Sequence, residues 1–226
     1  MDRAIDSQSL ADRGFTVAGK LLNAGQCRAV AALWTDKAHF RSHVVMQRHG
    51  YGQGEYQYFA YPLPEPVAQL RQALYPELAA VANRWNEQLG ISSRFPPTLQ
   101  GWLQQCHQGG QKRPTPLLLR YGPGDYNCLH RDLYGELVFP LQVTVLLSEP
   151  DRDFEGGEFM LVEQRPRMQS RGEVVPLAQG DAVIFAVNQR PVKGSRGFHR
   201  TAMRHGVSVL RRGQRFTLGI IFHDAA

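Results

Sequence analysis

What most restricts the fold is a succession of about eight short β-rich runs between residues 116 and 222, with no helical pattern between them. They cover 116–121, 126–131, 138–148, 158–163, 173–177, 181–187, 202–209 and 215–222. Turn signals separate them at Gly122-Pro123-Gly124-Asp125, Gly156-Gly157, Gly180-Asp181 and Gly213. A parallel sheet would need a helical crossover after each strand, so this texture predicts an antiparallel sandwich or jelly roll.

The first 110 residues read differently. Residues 1–20 show little periodicity, and a helix is expected after Asn23, where Asn23 and Gln26 have the capping-box spacing and Cys27, Val30, Ala31 and Trp34 share a face. Residues 43–62 gather Tyr51, Tyr56, Tyr58, Phe59 and Tyr61 around three glycines, which predicts two short strands joined as a hairpin. These aromatics, beside Arg48 and His49, are either strand packing or a lid that stacks bases, with Tyr56 and Tyr58 as its contacts. From Pro66 a helical pattern runs to Gly90 with a break expected at Pro76, and Thr98 caps a further helix that ends at Gly109-Gly110. The chain is thus expected to be one domain over 1–226. Residues 1–110 form a mostly helical buttress with an aromatic hairpin, and 111–226 form the β core.

Charge points outward. The net charge is +6, and from Asn188 to Phe222 there is no Asp or Glu, while Arg190, Lys193, Arg196, Arg200, Arg204, Arg211, Arg212 and Arg215 all fall there. Such a stretch is either a solvated basic loop or the footprint of a polyanion. The polar, acid-bearing N-terminus and the lack of a run of about 18 apolar residues suggest a cytoplasmic protein that does not enter membranes. Cys27, Cys106 and Cys128 are too few and too scattered for a disulfide framework and read as reduced thiols, Cys128 as a buried one. Nothing in the residues indicates an oligomeric state.

The chemistry rests on His130-Arg131-Asp132. On a strand, residues two apart share a face, so His130 and Asp132 can close on one ion, and His205 supplies a third donor from a later strand. Two histidines and a carboxylate hold non-haem Fe(II) with positions left open, as an oxygen-activating centre requires. His-Arg-Asp-Leu also spells the start of a protein-kinase catalytic loop. That reading fails, because position 137 is leucine where asparagine is needed and Asp153-Phe154-Glu155 does not make the Asp-Phe-Gly triplet. Arg215, ten residues after His205, suits a bidentate contact with the distal carboxylate of an oxo-acid co-substrate. Thr217 shares its strand face and either adds a hydroxyl donor or simply packs. His199 competes with His205 as the distal ligand. His205 is preferred because it opens a strand, which leaves His199, with Arg200, for the substrate entrance. Arg131, on the opposite strand face, is not expected to touch substrate.

These motifs resemble the Fe(II)/2-oxoglutarate-dependent dioxygenases over residues 117–223. Arg120-Tyr121-Gly-Pro-Gly with Leu129-His130-Arg-Asp132 is similar to the AlkB-type signature, and His205 to Arg215 has the spacing of the prolyl hydroxylases. The whole chain looks like the small bacterial AlkB-like family assigned to oxidative repair of damaged DNA. It departs from AlkB at Leu119, where that signature has asparagine, and in the shortened ending Arg215-Phe216-Thr217. The resemblance implies a double-stranded β-helix, a cupin-like jelly roll. It further implies Fe(II) on His130, Asp132 and His205, 2-oxoglutarate on Arg215 and Tyr121, O2 as co-substrate, and alkylated DNA or RNA as partner. The rivals are hydroxylation of a protein side chain or small molecule, and a metal-free binding module on the same fold.

Overall fold

A computed structural model describes residues 5–226. Helix α1 (Ser7–Arg13) and strand β1 (Phe15–Ala18) precede α2 (Ala24–Ala32). Strands β2 (Phe40–Val45), β3 (Gly52–Gln53) and β4 (Glu55–Phe59) follow, then α3 (Glu65–Gln88) and α4 (Leu99–Gln108). The C-terminal half is all strand: β5 (Leu117–Tyr121), β6 (Tyr126–His130), β7 (Leu141–Leu146), β8 (Phe154–Gly156), β9 (Phe159–Gln164), β10 (Arg171–Val175), β11 (Ala182–Ala186), β12 (Gln189–Gly194), β13 (Gly197–Val207), β14 (Leu210–Gly213) and β15 (Arg215–Ile220).

Two antiparallel sheets face one another. The larger runs β1-β11-β7-β15-β5-β4-β2, and the smaller runs β10-β9-β13-β6-β3 with β12 also paired to β13. This is the expected jelly roll with helices packed outside. One apolar core joins Val67, Leu78 and Trp85 of α3 and Trp102 of α4 to Val143, Ile184 and Phe185 of the larger sheet and to Phe159 and Leu161 of the smaller. The smaller sheet alternates cleanly on β9, where Phe159, Leu161 and Glu163 point in, whereas β7 and β11 are buried throughout.

Local chemistry explains the helix ends. Asn23 and Gln26 exchange side-chain and backbone hydrogen bonds at 2.9 Å each, and Thr98 accepts from the Gly101 N–H at 3.2 Å. The expected break at Pro76 is absent, and α3 runs through it as one helix. Pro76 and Gln72 both lie on the exposed side, where water can satisfy the Gln72 carbonyl that the proline leaves free, while Arg71, Tyr75 and Leu78 are buried on the other side.

Other expectations are corrected. Residues 1–20 contain α1, capped by Asp6, and β1, which pairs with β11; both are too short to show a period. The aromatic segment is no simple hairpin: β2 pairs with β4, but β3 between them belongs to the smaller sheet, opposite β6. The basic loop around residue 190 is the β12–β13 hairpin. Within it Arg190 is buried, bonded to Glu163 and to the carbonyls of Ala11 and Asp12, so it is not part of a surface field. Cys128 is exposed, while Cys27 and Cys106 are buried and free. No helix among the described residues is long and apolar enough to cross a membrane.

Candidate metal and co-substrate site

Strands β6 and β13 lie side by side with His130 opposite His205, which brings the two ring centroids to 4.2 Å. Asp132 follows two residues beyond the end of β6. One carboxylate oxygen lies 3.4 Å from His130 Nε2 and the other 3.3 Å from His205 Nε2. One ligand atom from each of the three residues falls within 4.8 Å of the others. Nitrogen and oxygen atoms set cis around a metal at about 2.1 Å stand about 3 Å apart, so the three converge as a metal's ligands do. Gly206 permits this close approach of strands, since a Cβ there would lie 2.7 Å from the Asn127 carbonyl oxygen.

The surroundings orient each donor. His130 Nδ1 lies 2.8 Å from the Cys128 carbonyl, which fixes the proton on Nδ1 and leaves the Nε2 lone pair for the metal. His205 is held between Phe185, at 4.6 Å between centroids, and Phe159, stacked at 6.1 Å. Tyr134 donates its O–H to Asp132 Oδ1 at 2.8 Å. Burial, and then the Asp132 charge, push the Tyr134 phenol well above its ordinary range, so it remains the donor. Burial would raise Asp132, but hydrogen bonds and charge from the two imidazoles hold it well below the usual carboxylate range. For His205 burial, together with the charge of His130, lowers the pKa. For His130 burial is outweighed by Asp132 and the value rises. The buried carboxylate thus favours positive charge between the two rings, which suits a divalent cation.

Arg215 opens β15 opposite Tyr121 and is 2% exposed. Its Nε and Nη1 have no hydrogen-bond partner, and no carboxylate among the described residues pairs with it. The guanidinium carbon stands 5.6 Å from the Tyr121 ring centroid and 5.8 Å from that of Phe154. A side chain at Gly157 would crowd it, as a Cβ there would meet Arg215 Cδ at 3.0 Å. Burial lowers its pKa to about 10, which still leaves it charged at neutral pH. A buried cation with orphan donors is costly unless an anion completes it, and a carboxylate fits that need. Tyr121 accepts from Asn127 at 3.5 Å, and burial pushes its phenol up to about 12, so its own O–H is free to donate.

The triad, Arg215, Tyr121 and Thr217 line one cavity of about 400 Å³. Tyr56 lines it too, but Tyr58 does not; it packs behind, edge-on to Tyr56 and Tyr134 and under the Arg41 guanidinium. His199 and Arg200 lie outside it, exposed on the β12–β13 hairpin, with His199 opposite Val192. Arg131 does line the cavity, with a buried, unpartnered Nε: β6 ends at His130, so the alternation that would turn Arg131 outward no longer applies. Among the lining residues, sequence reasoning did not single out Tyr134, Leu133, Gln142 or Thr144, and it placed Tyr51 only within the aromatic segment. The i, i+2 relation of Tyr134 to Asp132 was available to find the first.

Comparison with known proteins accords with this geometry. The chain matches at residues 54–225 the Oxygenase-NA family, described as "Oxygenase, catalysing oxidative methylation of damaged DNA". It is 52% identical over 168 residues to an uncharacterized protein of Mycobacterium tuberculosis, covering 74% of this chain and 72% of that one. Similar solved structures include a Pseudomonas putida prolyl-4-hydroxylase (TM-score 0.54, 18% identity, 97% of each chain). Another is a 2OG-Fe(II) oxygenase family oxidoreductase of Burkholderia pseudomallei (TM-score 0.56, 16% identity, 97% of this chain and 91% of that one). At such identities these two speak for the fold alone, the double-stranded β-helix. The family match spans most of the chain, and on that ground this protein belongs to the Oxygenase-NA family of oxygenases.

Proposed function

We propose that the protein is an Fe(II)- and 2-oxoglutarate-dependent dioxygenase that oxidises alkylated bases in nucleic acid. The observation that carries the first half is the convergence on one cavity of a His-Asp-His donor set and a buried arginine whose donors have no protein partner. His130, Asp132 and His205 would hold Fe(II), and Arg215 with Tyr121 and Thr217 would receive the far carboxylate of 2-oxoglutarate. Bound iron, 2-oxoglutarate and O2 supply the oxidising power.

The chain's own residues supply position. Tyr134 and the His130 Nδ1–H bond fix the ligand atoms, while Phe159 and Phe185 shield His205 from water. Arg215 sets the depth and orientation of the co-substrate. The cavity is large enough to admit one base beside it, and its rim carries Tyr51 and Leu133, 50% and 48% exposed, as apolar surfaces for a flat ring. Hydroxylation of an N-alkyl carbon gives a hemiaminal, which releases an aldehyde and restores the base.

The family description, which names damaged DNA, and the unpaired surface cations support the nucleic-acid substrate. Succinate release measured with alkylated oligonucleotide, unmodified oligonucleotide and no added substrate tests it. Faster turnover with the alkylated strand is expected. Equal rates in all three would favour a protein side chain or small molecule as the substrate.

A further inference from the structure

We propose that the nucleic-acid backbone is gripped outside the cavity by a basic platform made of the β9–β10 turn and the β12–β13 hairpin. The proposal rests on the nucleic-acid reading above and adds where the strand lies. Strand register places both pieces at one end of the smaller sheet. Gln164 lies opposite Ala202 and Arg171 opposite Glu163, so the turn at 165–170 runs beside the first half of β13. Strand β6, antiparallel to β13 with His130 opposite His205, leaves the sheet toward the same end and carries Asp132 with it.

Arg167, Arg171, Lys193, Arg196, Arg200 and Arg204 are exposed there. None of them forms an ion pair with the described residues. The local acids are already engaged: Glu163 by Arg190 and Arg165, and Glu173 by Arg13. Six cations left uncompensated on neighbouring strands repel one another, and a row of phosphates relieves that repulsion. Phe198, 42% exposed near the hairpin tip, adds a face on which a base can stack.

At about 3.3 Å per residue, Arg200 and Arg196 stand roughly 17 and 30 Å along the strand from His205. These side chains therefore cannot reach a base in the cavity. They reach phosphates further along the strand, about five to nine nucleotides away where it is stacked as in B-form DNA at about 3.4 Å per nucleotide, and fewer where it is extended. The platform would contribute affinity without sequence preference and would do so only for strands long enough to span it.

The test is fluorescence anisotropy with labelled, unmodified DNA strands of 20 and 4 nucleotides, over a range of salt. It compares wild type with the triple variant Lys193→Ala/Arg196→Ala/Arg200→Ala and with a control, Arg152→Ala/Arg211→Ala/Arg212→Ala, which removes equal charge from ion-paired arginines. The platform variant should bind the 20-mer at least about tenfold more weakly, with a log–log salt slope shallower by about 2. It should bind the 4-mer as wild type does and retain Fe(II) binding and Tm, and the control should resemble wild type. Equal losses in both triple variants, or none in the platform variant, would overturn the proposal while leaving the nucleic-acid reading intact. Failure of wild type to bind the 20-mer even at low salt would remove both. Selective loss of binding to anionic phospholipid vesicles, with DNA binding unchanged, would reassign the platform to membranes.

Discussion

Two side chains carry the sharpest consequences at the scale of single residues. Arg215 is a buried charge awaiting a partner, so replacing it with an apolar side chain of similar length should have opposite effects on folding and on binding. Arg215→Met is expected to stabilise the ligand-free protein by about 1–2 kcal/mol, read as a higher Tm, and to abolish the Tm increase that 2-oxoglutarate gives wild type. A lower Tm with 2-oxoglutarate stabilisation intact would show that the guanidinium serves the fold alone. Tyr134 acts through Asp132. Tyr134→Phe removes the hydrogen bond to Oδ1 and should weaken Fe(II) affinity about tenfold, with little change in Tm. The placing of Arg215 beside the triad was legible, because its spacing from His205 needs no coordinates. That of Arg131 was not: strand alternation predicts an outward side chain, and only the end of β6 at His130 shows why alternation stops there.

Among the elements, the clasp of Arg190 on β12, Glu163 on β9 and the last carbonyls of α1 ties the N-terminal helix to the sheet that carries His205. Arg190→Ala leaves the buried Glu163 carboxylate to the half-exposed Arg165 alone and should cost about 3 kcal/mol in denaturant unfolding. Burial would raise Glu163, but Arg190 and Arg165 hold it below its ordinary value. A carboxylate with a depressed folded-state pKa contributes stability above its unfolded value, near 4.5, and loses it as pH falls through the folded one. The Tm gap between wild type and Glu163→Gln should therefore be widest near neutrality and close on acidification below about pH 4. A gap independent of pH would remove the clasp's ionic character. Patterns long enough to repeat announced their elements: α2, α4 and most C-terminal strands lie within a few residues of their expected bounds. The seven-residue α1, four-residue β1 and three-residue β8 offer no period to read. The β12–β13 hairpin was masked by its charge, since a basic stretch reads as loop until its partner strand is known.

Across the whole molecule, the jelly roll followed from the lack of helices between strands, and the donor triad from a two-residue period plus one distant histidine. What could not be read was which cations are paired: Arg190 and the platform arginines look alike as letters and differ entirely in partners. The central claim is that His130, Asp132 and His205 hold one iron within reach of a co-substrate anchored by Arg215. Anaerobic titration of the purified protein with Fe(II), then with 2-oxoglutarate, tests this most directly when followed by the visible absorption of the chelated keto acid. One iron per chain, a band that fails to form in His130→Ala and His205→Ala, and a band needing far more 2-oxoglutarate in Arg215→Met are the predicted results. Iron binding indifferent to both histidines, or a band in Arg215→Met that saturates as in wild type, would contradict it.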